Sequence, residues 1–349
     1  MLKVKEGENF SHPSTICRTS GAGRHTLSIS RINPPPNFGG LKFEPDNEIE
    51  EKRAFFEGLK GLFMTSSLEQ IQAKVKNIAL RNPVYTEISQ WVGDLLSITV
   101  KASDTFRPVD LKFDSDSLPE AWYQGKSLIH AEELTLNWEQ IKDLYKQLVN
   151  QIKNTKDGHK QIDGLLQAVD KDSDGTPILI KSILTSDFET IKTTAKELKI
   201  DPPVLTLLLR LSLRPALLEV AQTVQDRLDL DHWHHGHCPV CGSAPILADL
   251  SGEGGKRTLH CSLCETAWSY TRLRCPFCEN DNRDELSYLK AENEEGLRVD
   301  LCNRCGNYLK TLDLRELSES IIIPLDDAAT WHLDLIAQEN LKDREIKRS

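Results

Sequence analysis

Eight of the nine cysteines in this 349-residue sequence fall in four Cys-x-x-Cys pairs: Cys238/Cys241, Cys261/Cys264, Cys275/Cys278 and Cys302/Cys305. Two thiolates two residues apart in a tight turn can face one cation, and two such turns complete a tetrahedral four-sulfur site. Four turns therefore provide for two metal ions. Between the pairs lie 19, 10 and 23 residues. The two long gaps each suit a hairpin and the short one a link. Sequential pairing then gives a first site of Cys238, Cys241, Cys261 and Cys264, and a second of Cys275, Cys278, Cys302 and Cys305. Interleaved pairing, first pair with third and second with fourth, stays open. Gly242 and Gly306 follow the outermost pairs; glycine there permits a positive φ and lets the turn aim amide N–H groups at sulfur. Spacing does not choose the ion, because all-thiolate tetrahedra take zinc or iron. A closed shell of four sulfurs leaves no open position, so catalysis by a metal-bound water is not expected.

Other uses of these cysteines fit less well. Disulfide frameworks suit small secreted chains, whereas this one has a mass of 39.4 kDa and its start, MLKVKEGENFSHPST, has no apolar stretch like that of a secretory signal. A redox dithiol needs one pair at a strand–helix turn, not four among hairpin signals. Cys17 stands alone and reads as an ordinary free thiol. His232, His234, His235 and His237 precede Cys238 and read as a polar entrance to the module, or alternatively as a contact surface sensitive to pH or metal. Asp170, Asp172, Asp174 and Gly175 mimic the opening of a calcium loop, but Lys181 stands where the closing glutamate belongs and Pro177 interrupts it. No phosphate-binding glycine loop, nucleophile elbow or H-E-x-x-H motif occurs.

The elements that must carry these turns change character along the chain. Residues 1–45 hold Pro34-Pro35-Pro36 and Gly39-Gly40 with no helical or strand period, and read as a mostly disordered leader. From about Asp46 the pattern is helical. Leu68, Ile71, Val75 and Ile78 form one stripe, Asn82-Pro83 breaks it, and Val84–Ile98 resumes it. Residues 101–128 read as loop-rich. Trp138, Ile141, Leu144, Leu148 and Ile152 form another stripe, and helices are expected over 160–169, 186–198 and 203–228. Pro203–Val224 is the longest apolar run, but it contains Arg210, Arg214, Pro215 and Glu219. It reads as a buried helix kinked or restarted at Pro215, and no membrane span is expected. After Asp231 short alternating segments appear: Pro245–Leu250, Arg257–His260, Thr266–Arg272, Leu286–Lys290, Leu297–Leu301 and Tyr308–Leu312. A final helix is expected over Asp326–Asn340.

The fold class expected is therefore α plus a small β part. A leader (1–45) precedes an α-helical domain (46–230), a double four-cysteine module (231–313), and a C-terminal helix with a charged tail (314–349). Metal should supply much of the module's folding energy, while the helical domain, with its own stripes, should survive metal loss. Net charge of −10 and a pI of about 5.6 argue against nucleic acid as a partner. Thiols kept for metal point to a reducing cytoplasm. Trp268, Tyr270, Phe277 and Tyr308 are candidate aromatic anchors beside the turns, with packing under the ribbons as the favoured alternative. Arg272, Arg274 and Arg304 are candidate contacts for an acidic partner, with solvated surface as the default.

With these words in view the chain resembles the formate dehydrogenase accessory protein family, FdhE. The resemblance rests on CPVCGSAP at Cys238–Pro245, CSLCETAWSYTRLRC at Cys261–Cys275, CPFC at Cys275–Cys278 and CNRCGNYLKTLD at Cys302–Asp313. It extends to LSLRPALLEVA at Leu211–Ala221 and DDAATWHLDLIAQE at Asp326–Glu339. Ala267 stands before Trp268 where the family tends to have an acidic residue. The leader has no counterpart. The resemblance implies a helical domain followed by two rubredoxin-like ribbons, with iron as the ion and zinc as a common substitute. It implies a cytoplasmic assembly factor for protein maturation, needed for active formate dehydrogenase and binding that enzyme's catalytic subunit before export. A rubredoxin-like redox or electron-transfer protein is the alternative function, a zinc-ribbon nucleic-acid binder the weaker one. Whether the chain forms a homodimer stays open.

Overall fold

The computed structural model describes residues 4–7, 66–106, 120–130, 134–152, 164–166, 178–225, 227–291, 294–317 and 319–348. The expected helical start at 46–65, most of the leader with Cys17, and the calcium-like run at Asp170–Gly175 lie outside them, as does all of 160–169 except 164–166, which is helical.

Local chemistry sets the helix ends. Helix α1 (Leu68–Arg81) opens on a capping box, in which the Ser67 side chain accepts from the Gln70 N–H and the Gln70 side chain accepts from the Ser67 N–H. It stops at Asn82, whose side chain accepts from Val84 N–H while Pro83 starts a short 3-10 turn; α2 (Thr86–Ser103) follows. A short α3 (Glu120–Tyr123) precedes α4 (Trp138–Ile152), which buries Ile141, Leu144, Tyr145, Leu148 and Val149. Helices α5 (Ile178–Leu184) and α6 (Phe188–Leu198) lead into α7 (Pro202–Gln225). Pro202 and Pro203 sit in its first turn, where a missing N–H costs little. Helix α7 does not restart at Pro215 but runs unbroken. It is buried on most sides against α2, α4, α5 and α6, so packing outweighs the one backbone hydrogen bond that proline removes.

The β part is one sheet. Strands β1 (Val4–Gly7), β2 (Pro245–Ser251), β3 (Lys256–Cys261), β4 (Ala267–Tyr270), β5 (Leu286–Ala291), β6 (Leu297–Cys302) and β7 (Tyr308–Asp313) lie in the order β1-β5-β6-β7-β2-β3-β4. Each half is a three-stranded antiparallel ribbon, β2-β3-β4 and β5-β6-β7. The halves are fused by parallel pairing of β2 with β7, Leu247 opposite Lys310 through Leu250 opposite Asp313. The six expected strands are present, but their fusion was not foreseen. Nor was β1, which corrects the reading of the first residues as structureless. Strand β5 would otherwise present a row of unpaired backbone groups, and Val4–Gly7 pairs along it, Val4 opposite Ala291.

Both faces of the sheet are covered. Neighbouring residues point to opposite faces, so Leu247 and Ala248 enter different cores. Ala248, Leu259, Trp268 and Tyr270 join the helical core, together with Trp233 and Val240. Leu247, Leu289, Val299, Leu301 and Leu312 pack with Leu333, Ile336 and Ala337. The last three residues belong to α10 (Trp331–Arg348), which follows the short α8 (Leu314–Leu317) and α9 (Ile323–Ala328). The single helix expected over Asp326–Asn340 is thus two, separated at Ala329 and Thr330. Thr330 Oγ1 donates back to Asp326 O at 2.6 Å, ending α9. Lys310 is buried beneath these helices with Nζ 2.5 Å from Asp327 and 2.9 Å from Asp334. Among the described residues no helix is long and apolar enough to cross a membrane.

Candidate metal centre

Each Cys-x-x-Cys pair sits on a knuckle at a strand end. Cys238/Cys241 precede β2 and Cys261/Cys264 join β3 to β4; Cys275/Cys278 precede β5 and Cys302/Cys305 join β6 to β7. The knuckles share one backbone pattern. The first cysteine's N–H donates to the carbonyl five residues on: Cys238 to Ser243, Cys261 to Thr266, Cys275 to Asn280 and Cys302 to Asn307, at 2.8–3.0 Å. In three of them the N–H of the residue after the second cysteine donates back to the first, as Gly242 to Cys238, Glu279 to Cys275 and Gly306 to Cys302. That residue has positive φ in all four: Gly242 at 74°, Glu265 at 58°, Glu279 at 58° and Gly306 at 71°. Two glutamates therefore hold a conformation that glycine adopts freely and other residues seldom do.

The cysteines converge as sequential pairing requires. The four sulfurs of Cys238, Cys241, Cys261 and Cys264 lie within 4.8 Å of one another, and so do those of Cys275, Cys278, Cys302 and Cys305. Across the knuckles Cys238 and Cys264 are 3.6 Å apart, Cys241 and Cys261 3.4 Å, Cys275 and Cys305 3.7 Å, and Cys278 and Cys302 3.7 Å. Disulfide sulfurs would be about 2 Å apart. A tetrahedron with metal–sulfur bonds of about 2.3 Å has edges of about 3.8 Å. These donor sets fit a four-coordinate ion, and the two clusters can hold two metal ions.

Electrostatics explain why a cation belongs there. Burial pushes the Cys238, Cys261 and Cys275 thiols well above their ordinary value, so each cluster resists carrying four thiolates on its own. An ion reverses that preference. Donors around the sulfurs spread the remaining charge. Leu263 and Cys264 N–H groups donate to Cys261 Sγ at 3.3 and 3.4 Å, and Asn307 Nδ2 donates to Cys305 Sγ at 3.4 Å.

The first site is locked into the helical part. Trp122 Nε1 donates to Pro239 O at 3.1 Å, and the backbone N–H groups of Leu128 and Ile129 donate to Pro239 and Val240 at 3.0 and 2.8 Å. A Cβ on Gly242 would lie 2.9 Å from Ser127 Oγ, so this strap lies against the knuckle. From α7, Arg214 forks onto Glu265 with contacts of 2.6 and 3.0 Å, and its side chain is only 4% exposed. A cleft of about 40 Å³ beside this pair is lined by Arg210, Arg214, Ser262, Leu263, Glu265 and Asp327, and has room for a few waters. The helical core and the first cluster are therefore continuous.

The partner-surface residues divide. Trp268 is 0% exposed and donates from Nε1 to His235 O at 3.1 Å, so it is no exposed anchor. Tyr270 is buried with its hydroxyl on Cys275 O, and Phe277 is half-buried against the core. Alternation along β4 marks one face for burial but does not tell that helices also cover the other. Arg274 is spent on Glu279 at 2.9 Å; Arg272 and Arg304 are exposed. The histidines join neither cluster. His235 and His237 stack edge-on around Trp233, His237 Nε2 meets Gly125 O at 3.0 Å, and His232 pairs with Asp229. Reasoning from sequence missed Arg214 and Glu265. A non-glycine after Cys264, where Cys241 has Gly242, was the available signal.

Fold and site together define a helical protein carrying a fused pair of four-cysteine ribbons. Residues 237–272 match the family model described as FdhE, central domain. The chain is 36% identical over 138 residues to a Protein FdhE homolog from Aquifex aeolicus, covering 38% of this chain and 48% of that one. It is 38% identical over 125 residues to a homolog from Edwardsiella ictaluri (35% and 40% covered), and 40% identical over 101 residues to Protein FdhE of Salmonella choleraesuis (28% and 32% covered). These matches span half or less of each relative's length. The crystal structure of the FdhE protein from Pseudomonas aeruginosa shares the fold, with a TM-score of 0.55 at 19% identity over 79% of this chain and 94% of that one. The resemblance to the FdhE family read from the cysteine words is borne out.

Proposed function

We propose that this chain is a cytoplasmic maturation factor for formate dehydrogenase that binds the enzyme's catalytic subunit before export. It acts by contact rather than by catalysis. Cys238, Cys241, Cys261 and Cys264 hold one metal ion, and Cys275, Cys278, Cys302 and Cys305 the other, with iron as the resident and zinc able to replace it. The observation that supports this reading most is the pair of closed four-sulfur clusters inside one fused sheet, in a chain similar to FdhE. Closed clusters offer a substrate no position; what they supply is a ribbon of fixed shape. The test is co-purification of the unexported catalytic subunit with the chain. Replacing Cys302 and Cys305 together by serine should abolish capture and lower formate dehydrogenase activity in cells. Capture at wild-type yield would contradict the contact mechanism.

A redox reading has one observation in its favour. Cys278 and Cys305 are half-exposed, so an iron ion there would have sulfur at the surface through which an electron can pass. It predicts that the serine variant still captures the subunit but fails to restore activity.

A further inference from the structure

Four arginines converge on one face of the fused sheet, in a chain whose net charge is −10. Arg257 (β3) and Arg298 (β6) sit within it, Arg272 follows β4, and Arg315 opens α8. Arg257 is buried, its Nη1 donates to Arg274 O at 3.1 Å, and its Nη2 lies 3.5 Å from Asp300. Arg298 contacts Asp300 at 3.0 Å and stacks over the Tyr288 ring at 5.0 Å. Arg315 forks onto Asp313 with contacts of 2.7 and 2.5 Å. Glu316 accepts from Gly296 N–H.

Arg272 is different. It is exposed, and among the described residues its guanidinium makes no hydrogen bond or ion pair. It points toward the other cations all the same. The Cβ position of Gly255, at the β2–β3 tip, is 2.8 Å from Arg315 Nη1 and 3.1 Å from Arg272 Nη1. That point lies on Gly255 itself and holds no ligand, but it sets the two guanidinium groups side by side, within reach of one carboxylate arriving from solvent. Burial, then Arg298 and Arg315, push the Arg272 pKa below its ordinary value, against the opposing pull of Asp300 and Asp313. Asp300 serves Arg257 and Arg298 and Asp313 serves Arg315, which leaves Arg272, among the described residues, as the arginine of this face with no carboxylate of its own.

We propose that Arg272, with Arg315 and Arg298, is a receptor for carboxylates of an acidic peptide segment on a partner protein. The pairs already in the patch show the chemistry that fits, because Arg315 grips Asp313 as a planar fork grips a carboxylate. Acidity of the rest of the chain opposes a long nucleic-acid backbone while leaving a short acidic segment room to dock. The proposal deepens the contact reading by naming a surface, and it is tested without the dehydrogenase.

The test titrates a fluorescein-labelled hexaglutamate peptide with the full metal-loaded chain and reads anisotropy. Saturable binding is expected that weakens with salt and falls about tenfold or more in Arg272→Ala. Arg272→Lys should recover part of the loss, and Arg283→Ala, an exposed arginine on the turn before β5, should bind as wild type. Circular dichroism and metal content verify that each variant is folded. Equal binding by wild type and Arg272→Ala would overturn the proposal, as would displacement of the peptide by equimolar inorganic phosphate or tighter binding of duplex DNA. If Arg272→Ala loses the peptide but still captures the dehydrogenase subunit, peptide binding stands and the patch is not that enzyme's contact. If the Cys302/Cys305 serine variant still captures it, the contact reading fails by itself.

Discussion

The first cluster has one half-buried cysteine, Cys241, and three buried ones, whereas the second has two of each, with Cys278 and Cys305 half-buried. Both clusters are built from the same knuckles with the same positive-φ residue after the second cysteine. What differs is the surroundings. The first lies in the core that α7 and the Trp122–Trp233 contact organise, while the second stands where the sheet leaves that core. The two glutamates show the contrast at one structural position. Glu265 is 18% exposed and held by the buried Arg214; Glu279 is 44% exposed and held by Arg274, itself 32% exposed. One ligand motif can therefore act as the keystone of a core at one site and as a local clip at the other.

The largest effect should follow from comparing one ligand in each cluster. Cys261→Ser is expected to cost roughly 5 kcal/mol or more, because the metal's contribution to folding is lost from a shared core. Its α7 amides should lose hydrogen-exchange protection along with β2 and β3. Cys278→Ser should expose β5–β7 and leave α7 protected. Equal protection of α7 in both variants would break the comparison.

A smaller effect separates the arginines. Arg214→Met leaves Glu265 without its partner and should cost about 3 kcal/mol in urea unfolding, as for a broken buried pair. Arg274→Met should cost less than about 1 kcal/mol, as exposed pairs do. Similar losses would show that burial does not distinguish the two knuckles.

Acid should find the patch between the ribbons. Burial pushes the Asp300 carboxyl up, but Arg298 and Arg257 outweigh it and hold its pKa below the ordinary 3.8. A carboxyl with a depressed folded pKa gives stability that is present above its unfolded value and lost as pH falls through the folded one. Unfolding free energy should therefore drop with pH below about 4, and Asp300→Asn should reduce that slope. An unchanged slope would remove Asp300 from the acid response.

The smallest effect concerns backbone conformation. Glu279→Gly removes a left-handed non-glycine residue and an exposed pair together, so its net change should be within about 1 kcal/mol of zero. Glu265→Gly relieves the same conformation but orphans Arg214, and should be clearly destabilising by comparison in the same urea titration.

Much of this was legible in the sequence because cysteine spacing and strand alternation are local signals. The gaps after Cys241 and Cys278 predict hairpins, and the structure has them at β2–β3 and β5–β6. The helix break at Asn82-Pro83 was equally local. Contacts between distant segments were not readable. Nothing in Leu247–Leu250 or Lys310–Asp313 states that these strands pair in parallel. Nothing in the sequence around Lys310 states that Asp327 and Asp334 are brought over it. Trp268 reads as an anchor or as packing under the ribbons, and the burial that favours packing is complete because this sheet is covered on two faces.

The central claim is that two four-sulfur clusters each hold an ion, one within the core and one at its rim. Timed chelator challenge of anaerobically purified protein, with released iron and zinc counted per chain, tests it most directly. The account predicts two ions per chain leaving in two phases, the faster one absent from a Cys278→Ser variant that keeps the slower ion and its helices. One ion per chain, or two ions lost in a single phase together with the helical signal, would contradict it.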